Sequence, residues 1–138
     1  MANTKKVFLG GTCNNSTWRD ELIKQLDINY FNPVVENWTS ACMDEERKQR
    51  KECDYCLYVI TPEMTGVYAI AEVVDDSNKQ PKKTIFCFLS NYGGRTFDDR
   101  QLKSLNEVGK MVERNGGYYF TSLEQISIFL PLQRFSPT

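Results

Sequence analysis

A doubly wound α/β fold, with one parallel sheet of five strands and helices on both faces, is the fold class this sequence predicts. Three observations predict it. Short apolar runs alternate with helix-periodic segments five times along the chain. The connections between these segments are short. The run Lys83–Leu89 is apolar enough to be buried on both faces, as inner parallel strands are.

Each element has its own warrant. Lys6–Gly10 is a short apolar strand that stops at Gly10-Gly11. Thr17–Leu26 has helical spacing, with Trp18, Leu22, Ile23 and Leu26 on one face, so Trp18 is expected to be largely buried. Ser16 or Thr17 is its natural cap. Tyr30–Val35 is a second strand, shortened by Pro33, and Glu36–Trp38 is loop. Ser40–Glu52 is a polar helix that places Asp44–Lys48 and Glu46–Arg50 at ion-pair spacing. Tyr55–Thr61 is the third strand, and Val67–Asn78 the helix after it. At about 100° per residue, Val67, Ile70, Ala71 and Val74 form that helix's apolar face.

After the strand Lys83–Leu89, Ser90–Arg95 reads as a flexible loop. Asp98–Asn115 is helical, with Leu102, Leu105, Val108 and Val112 as its stripe and Gly116-Gly117 as its stop. Tyr118–Phe120 is the fifth strand. Ser122 and Gln125 have the spacing of a capping box that opens a last helix, ending by Pro131. The alternation and the size fit a flavodoxin-like (Rossmann-like) order, 2-1-3-4-5, as a single domain over 1–138.

The bulk numbers bound the function. At 138 residues the chain can bury one sizeable core. With 41% apolar and 25% charged residues it has the composition of a soluble globular protein. A net charge of -1 offers no basic surplus for phosphate backbones, so a nucleic acid polymer is not the expected partner. No apolar run has bilayer length, and the stretch after Met1–Lys6 is too short for a signal peptide, so a cytoplasmic protein is expected.

Cysteines at 13, 42, 53, 56 and 87 are odd in number and irregular in spacing, which predicts reduced thiols. Cys53 and Cys56 form a CxxC that closes a helix and opens a strand, the reverse of the redox order. Without a second cysteine pair or any histidine, a zinc site has no ligand set. The absence of histidine also removes Ser-His-Asp and Cys-His chemistry. Acid–base work falls to carboxylates, Tyr, Lys or Cys.

Glu72 is the leading candidate. It lies with Thr65 and Tyr68 on a flank away from the apolar face of its helix, near the carboxyl end of a strand, where open parallel sheets bind ligands. Gly10, Gly11, Thr12, Cys13 and Asn14 follow the first strand, where glycines permit close backbone approach and hydroxyls or amides can bind sugar or phosphate oxygens. A glycine-rich turn with a helix cap explains the same residues without a ligand. Asn32 and Trp38 follow the second strand, and Trp38 has a ring that could stack on a flat base or plug the core edge. Asp44, Glu45 and Glu46 open a helix, where acidic residues also serve the dipole. Asp44 is the candidate general acid.

Val7–Asn14, Thr17–Arg19, Phe31–Val35 with Trp38, and Gly66–Glu72 together resemble the nucleoside 2-deoxyribosyltransferase-like family, over roughly residues 5–90. The resemblance is closer to its uncharacterised branch than to the classical transferases. It implies a flavodoxin-like fold, an N-glycosidic bond as target and Glu72 as nucleophile. Related glycosidases hydrolyse nucleotides at that bond. Asp44 then matches the acid that assists the base. Tyr68, Thr65 and Gly66 flank the nucleophile, and Trp18 or Trp38 stacks on the base. No cofactor or metal is required. The implied partner is a small nucleoside or nucleotide, and the implied assembly a homodimer or higher homo-oligomer. A non-catalytic nucleotide-binding or sensing module on the same fold is the alternative. Val73-Val74-Asp75 follow Glu72 where the classical motif has a glycine.

Overall fold

The computed structural model describes residues 5–13, 16–35, 37 and 39–133. Its strands are β1 (Lys6–Gly11), β2 (Asn29–Phe31), β3 (Tyr55–Ile60), β4 (Thr84–Phe88), β5 (Asn91–Tyr92), β6 (Arg95–Thr96) and β7 (Tyr118–Phe120). Its helices are α1 (Trp18–Ile23), α2 (Ser40–Glu52), α3 (Tyr68–Lys79), α4 (Asp99–Arg114) and α5 (Leu123–Gln133). The main sheet runs β2-β1-β3-β4-β7, and every pairing in it is parallel. With β7 as its fifth strand, this is the expected order.

Alternation along β1 divides the core. Val7 and Leu9 join a cluster with Leu57, Val59 and Ile85, covered by Trp18 and Leu22 of α1 and by Ile126 and Leu130 of α5. Phe8 joins Tyr58 and Phe86 on the other face, covered by Val73 of α3 and by Leu105 and Val112 of α4. All six residues of β3 are buried, as a central parallel strand requires. Trp18 is 0% exposed, as its helical phase predicts. Among the described residues no helix is long and apolar enough to cross a membrane.

Several elements differ from the sequence reading. The second strand ends at Phe31, because Asn32 Oδ1 accepts a hydrogen bond from Val34 N at 3.1 Å and turns the chain before Pro33. Helix α1 is six residues long, and Thr17 at its N-cap makes no side-chain capping bond. The apolar face of α3 is rotated. Val73 is buried at its centre, beside Ala69, Ile70 and Val74, whereas Ala71 and Val67 are exposed. Val67 sits at the N-cap, outside the helical phase, so counting it displaced the predicted face.

The segment Ser90–Arg95, read as a loop, falls largely within the β5–β6 hairpin, which runs on to Thr96 and has Gly93 and Gly94 at positive φ. The final helix continues past Pro131 to Gln133. Its start is as expected: Gln125 N donates to Ser122 Oγ at 3.2 Å, and Ser122 N donates to Gln125 Oε1 at 3.1 Å. Arg50, expected to pair along α2 with Glu46, reaches instead across to α3.

Candidate active site

The site forms where β1 and β3 end side by side. Gly11 has φ of 115°, and a Cβ there would lie 2.0 Å from Val59 O. A Cβ on Gly10 would meet the Tyr58 ring at 2.9 Å. The need for glycine therefore comes from the neighbouring strand, although both residues also border the cleft.

The loop that follows is held from behind. Thr12 Oγ1 accepts from Thr61 N at 3.0 Å, and Thr12 O accepts from Trp18 Nε1 at 2.8 Å. Arg19 is 3% exposed and donates to Leu9 O at 2.9 Å, Thr12 O at 2.7 Å and Gly11 O at 3.2 Å. Burial pushes the Arg19 pKa down, opposed by Cys13. Arg19 is thus a site residue that pattern reading missed. The signal available was its place in the Thr17–Arg19 block that carries the resemblance.

A cleft of about 230 Å³ opens above this loop. Gly10, Gly11, Thr12 and Cys13 line one side; Gly66, Tyr68 and Glu72 line the other. Arg19 and Glu46 add charged groups to the lining, and Pro33 borders it as well. A second cavity of about 360 Å³ lies between α2 and α3, lined by Met43, Glu46, Arg47, Arg50, Tyr68 and Glu72. Glu46, Tyr68 and Glu72 border both.

Helix phase explains the α2 contribution. Met43, Glu46, Arg47 and Arg50 recur at i, i+3, i+4 and i+7, one stripe facing α3. Asp44 falls off that stripe, is exposed, and lines neither cavity. Tyr68, Glu72 and Asp76 form the answering i, i+4, i+8 stripe of α3.

Glu72 is partly buried, its carboxylate 3.1 Å from Arg50 Nη1. Burial raises its pKa above the ordinary carboxylate range; Arg50 opposes this, and Glu46 and Asp76 add to it. Behind it stands a buried polar network. Arg50 Nη2 donates to Asp76 Oδ1 at 2.9 Å and Nε donates to the Tyr58 hydroxyl at 2.9 Å. Tyr58 donates in turn to Asp76 Oδ2 at 2.5 Å. Burial, with Asp76 beside it, pushes the Tyr58 pKa up.

The structure thus gathers Glu72, Tyr68, Gly66 and Gly10–Cys13 around one cleft. Other expected site residues lie elsewhere. Trp18 is packed in the core and offers no ring face to a base. Thr65 is exposed and outside the lining, and Asn32 is engaged in its own turn. Asn14 and Trp38 fall outside the described residues. Among the described residues no three His, Cys, Asp or Glu side chains cluster to hold a metal ion.

No curated protein and no solved structure matches this chain. Residues 4–92 match the nucleoside 2-deoxyribosyltransferase-like family, a segment that contains every lining residue of both cavities. Matched over more than half its length, the chain belongs to the nucleoside 2-deoxyribosyltransferase-like family.

Proposed function

We propose that this protein breaks the N-glycosidic bond of a nucleoside or nucleotide, passing the sugar to water or to a second base, with Glu72 as nucleophile. One observation carries the reading: Glu72 is partly buried at the junction of two cavities, beside a second carboxylate, Glu46. Paired carboxylates suit a reaction in which one bonds to carbon and the other manages a proton.

In the first step a Glu72 oxygen bonds to the anomeric carbon. The bond from that carbon to the base nitrogen breaks, and the base leaves with the electron pair. Glu46 replaces Asp44 as the group that hydrogen-bonds or protonates the departing base, since it borders the same cavities as Glu72. In the second step water or another base attacks the same carbon and gives its proton to Glu46, the ester bond breaks, and Glu72 returns as a carboxylate. The carboxylate also stabilises the positive charge that develops on the sugar ring. Tyr68, bordering both cavities, is placed to orient the sugar or Glu72.

Incubation with a panel of nucleosides and nucleotides, with free base as the readout, tests the reading. Glu72→Ala and Glu72→Gln should each lower base release by on the order of 10³ or more while leaving the unfolding midpoint close to wild type. Base release at near-normal rate from Glu72→Ala would sink the nucleophile assignment.

The Arg50–Glu72 ion pair favours a second reading, in which the carboxylate is structural and the cleft binds a nucleotide without turning it over. Saturable binding by calorimetry, with no base released from any member of the panel, is the result that selects it.

A further inference from the structure

Arg50 is the residue whose geometry goes furthest beyond chemistry at Glu72 itself. Its guanidinium divides its three nitrogens among three partners. Nη1 meets Glu72 at 3.1 Å, Nη2 meets Asp76 at 2.9 Å, and Nε meets the Tyr58 hydroxyl at 2.9 Å. Two of these partners are fixed. Tyr58 is 0% exposed in the central strand and Asp76 4% exposed, joined to each other by a 2.5 Å hydrogen bond. Only Glu72 faces the cavities.

We infer that Arg50 is a positioning residue for Glu72, held by the Tyr58–Asp76 pair so that it fixes the Glu72 carboxylate in one orientation. The inference rests on the proposed nucleophile. A planar guanidinium suits the task because its donors point in fixed directions, which a lysine ammonium cannot reproduce. A nucleophile misplaced by about 1 Å can lose on the order of 10²-fold in rate.

Other groups facing Glu72 set the background. Glu46 and Arg47 come from α2, Tyr68 and Asp76 from α3, and Cys13 and Arg19 from across the cleft. Burial, Glu46 and Asp76 all favour the protonated form of Glu72, and Arg50 opposes them. Loss of Arg50 therefore raises the pH at which Glu72 ionises. If ionised Glu72 is the reacting form, the acid limb of the rate profile moves to higher pH by the same displacement.

Tyr58→Phe separates positioning from charge. It removes one hydroxyl, changes no charge near neutral pH, and alters no residue of either cavity lining. The test uses the full chain as wild type, Arg50→Lys, Arg50→Gln, Tyr58→Phe and Glu72→Gln. Glutamate labelled with carbon-13 at the carboxyl reports the Glu72 titration, its signal assigned by its loss in Glu72→Gln. The expected result is a Glu72 midpoint displaced upward in Arg50→Gln and, by less, in Tyr58→Phe. For base release, Tyr58→Phe should lose about tenfold in kcat with KM within about twofold. Arg50→Gln should lose on the order of 10²-fold, and Arg50→Lys should fall between.

A Glu72 midpoint that does not move in Arg50→Gln overturns the inference, as does an unchanged kcat in Tyr58→Phe. If Arg50→Gln does not fold, Arg50→Lys and Tyr58→Phe decide by the same readouts. The two proposals fail separately. Base release that survives Glu72→Gln removes the nucleophile, while an unmoved titration removes Arg50 as its holder whether or not a substrate is known.

Discussion

Asp44 and Glu46 stand two residues apart on α2, so about 200° of helix rotation separates them. One consequence is that they are not interchangeable. Glu46→Gln should lower base release by about 10²-fold or more, the usual weight of a lost proton donor, whereas Asp44→Asn should leave it unchanged. Equal losses in both variants would show that the site is larger than the two cavities. Glu72 and Tyr68 were legible in the sequence because they share one helical flank next to a strand end. Choosing between Asp44 and Glu46 was not possible on the same grounds. Helix α2 buries no residue, so its sequence has no apolar stripe to mark the inward face. Arg19 escaped for a related reason: an arginine at helical spacing reads as solvated, and only the fold shows its guanidinium turned back onto three carbonyls.

At the scale of elements, two glycines with positive φ test what holds the strand ends. Gly94 lies in the β5–β6 turn, where an added Cβ meets nothing within 4 Å. Gly94→Ala should cost only the backbone strain, about 1 kcal/mol. At Gly11 the added Cβ would also lie 2.0 Å from Val59 O, so Gly11→Ala should cost about 3–5 kcal/mol or prevent folding. Urea unfolding of both variants measures the difference, and similar midpoints would contradict the close β1–β3 seam. Asn91-Tyr92-Gly93-Gly94-Arg95 did contain a hairpin signal, since two adjacent glycines satisfy a tight two-residue turn. Strands of two residues are too short to show alternation, which is why the segment read as loop. Pro131 misled in the other direction: it marks a helix end in sequence, yet α5 carries it within its last turn. The long elements were legible because their apolar periods are strong; the α3 face was off in phase because one residue outside the helix was counted with it.

For the whole molecule, buried thiols set an alkaline limit. Burial pushes the Cys56 and Cys87 thiols up to about 12, from an ordinary 9.0. The folded chain therefore keeps these protons to higher pH than the unfolded chain does. Their contribution is complete below about pH 9 and is lost as pH rises toward 12. Each thiol can contribute at most about 1.4 kcal/mol per pH unit in that window. Tyr58, raised by its burial and by Asp76, acts in the same direction. Urea midpoints should fall steadily between about pH 9 and pH 11, with a shallower fall in Cys87→Ala. Midpoints level across that range would contradict the burial of these groups. The sheet order was legible from alternation and size, but the cavities were not, because they depend on how two polar helices lie against each other.

The placement of α5 has a consequence for how the protein is made. Ile126 and Leu130 cover the face of the sheet that holds Val7, Leu9 and Leu57, while every residue lining either cavity lies at or before position 72. A ribosome therefore releases every cavity-lining residue before it releases the helix that completes the cover of this face. The nascent chain carries its full set of cavity-lining groups for some fifty residues of synthesis, with that face of β1 covered by α1 alone. Cover of that face is complete only when the last helix docks.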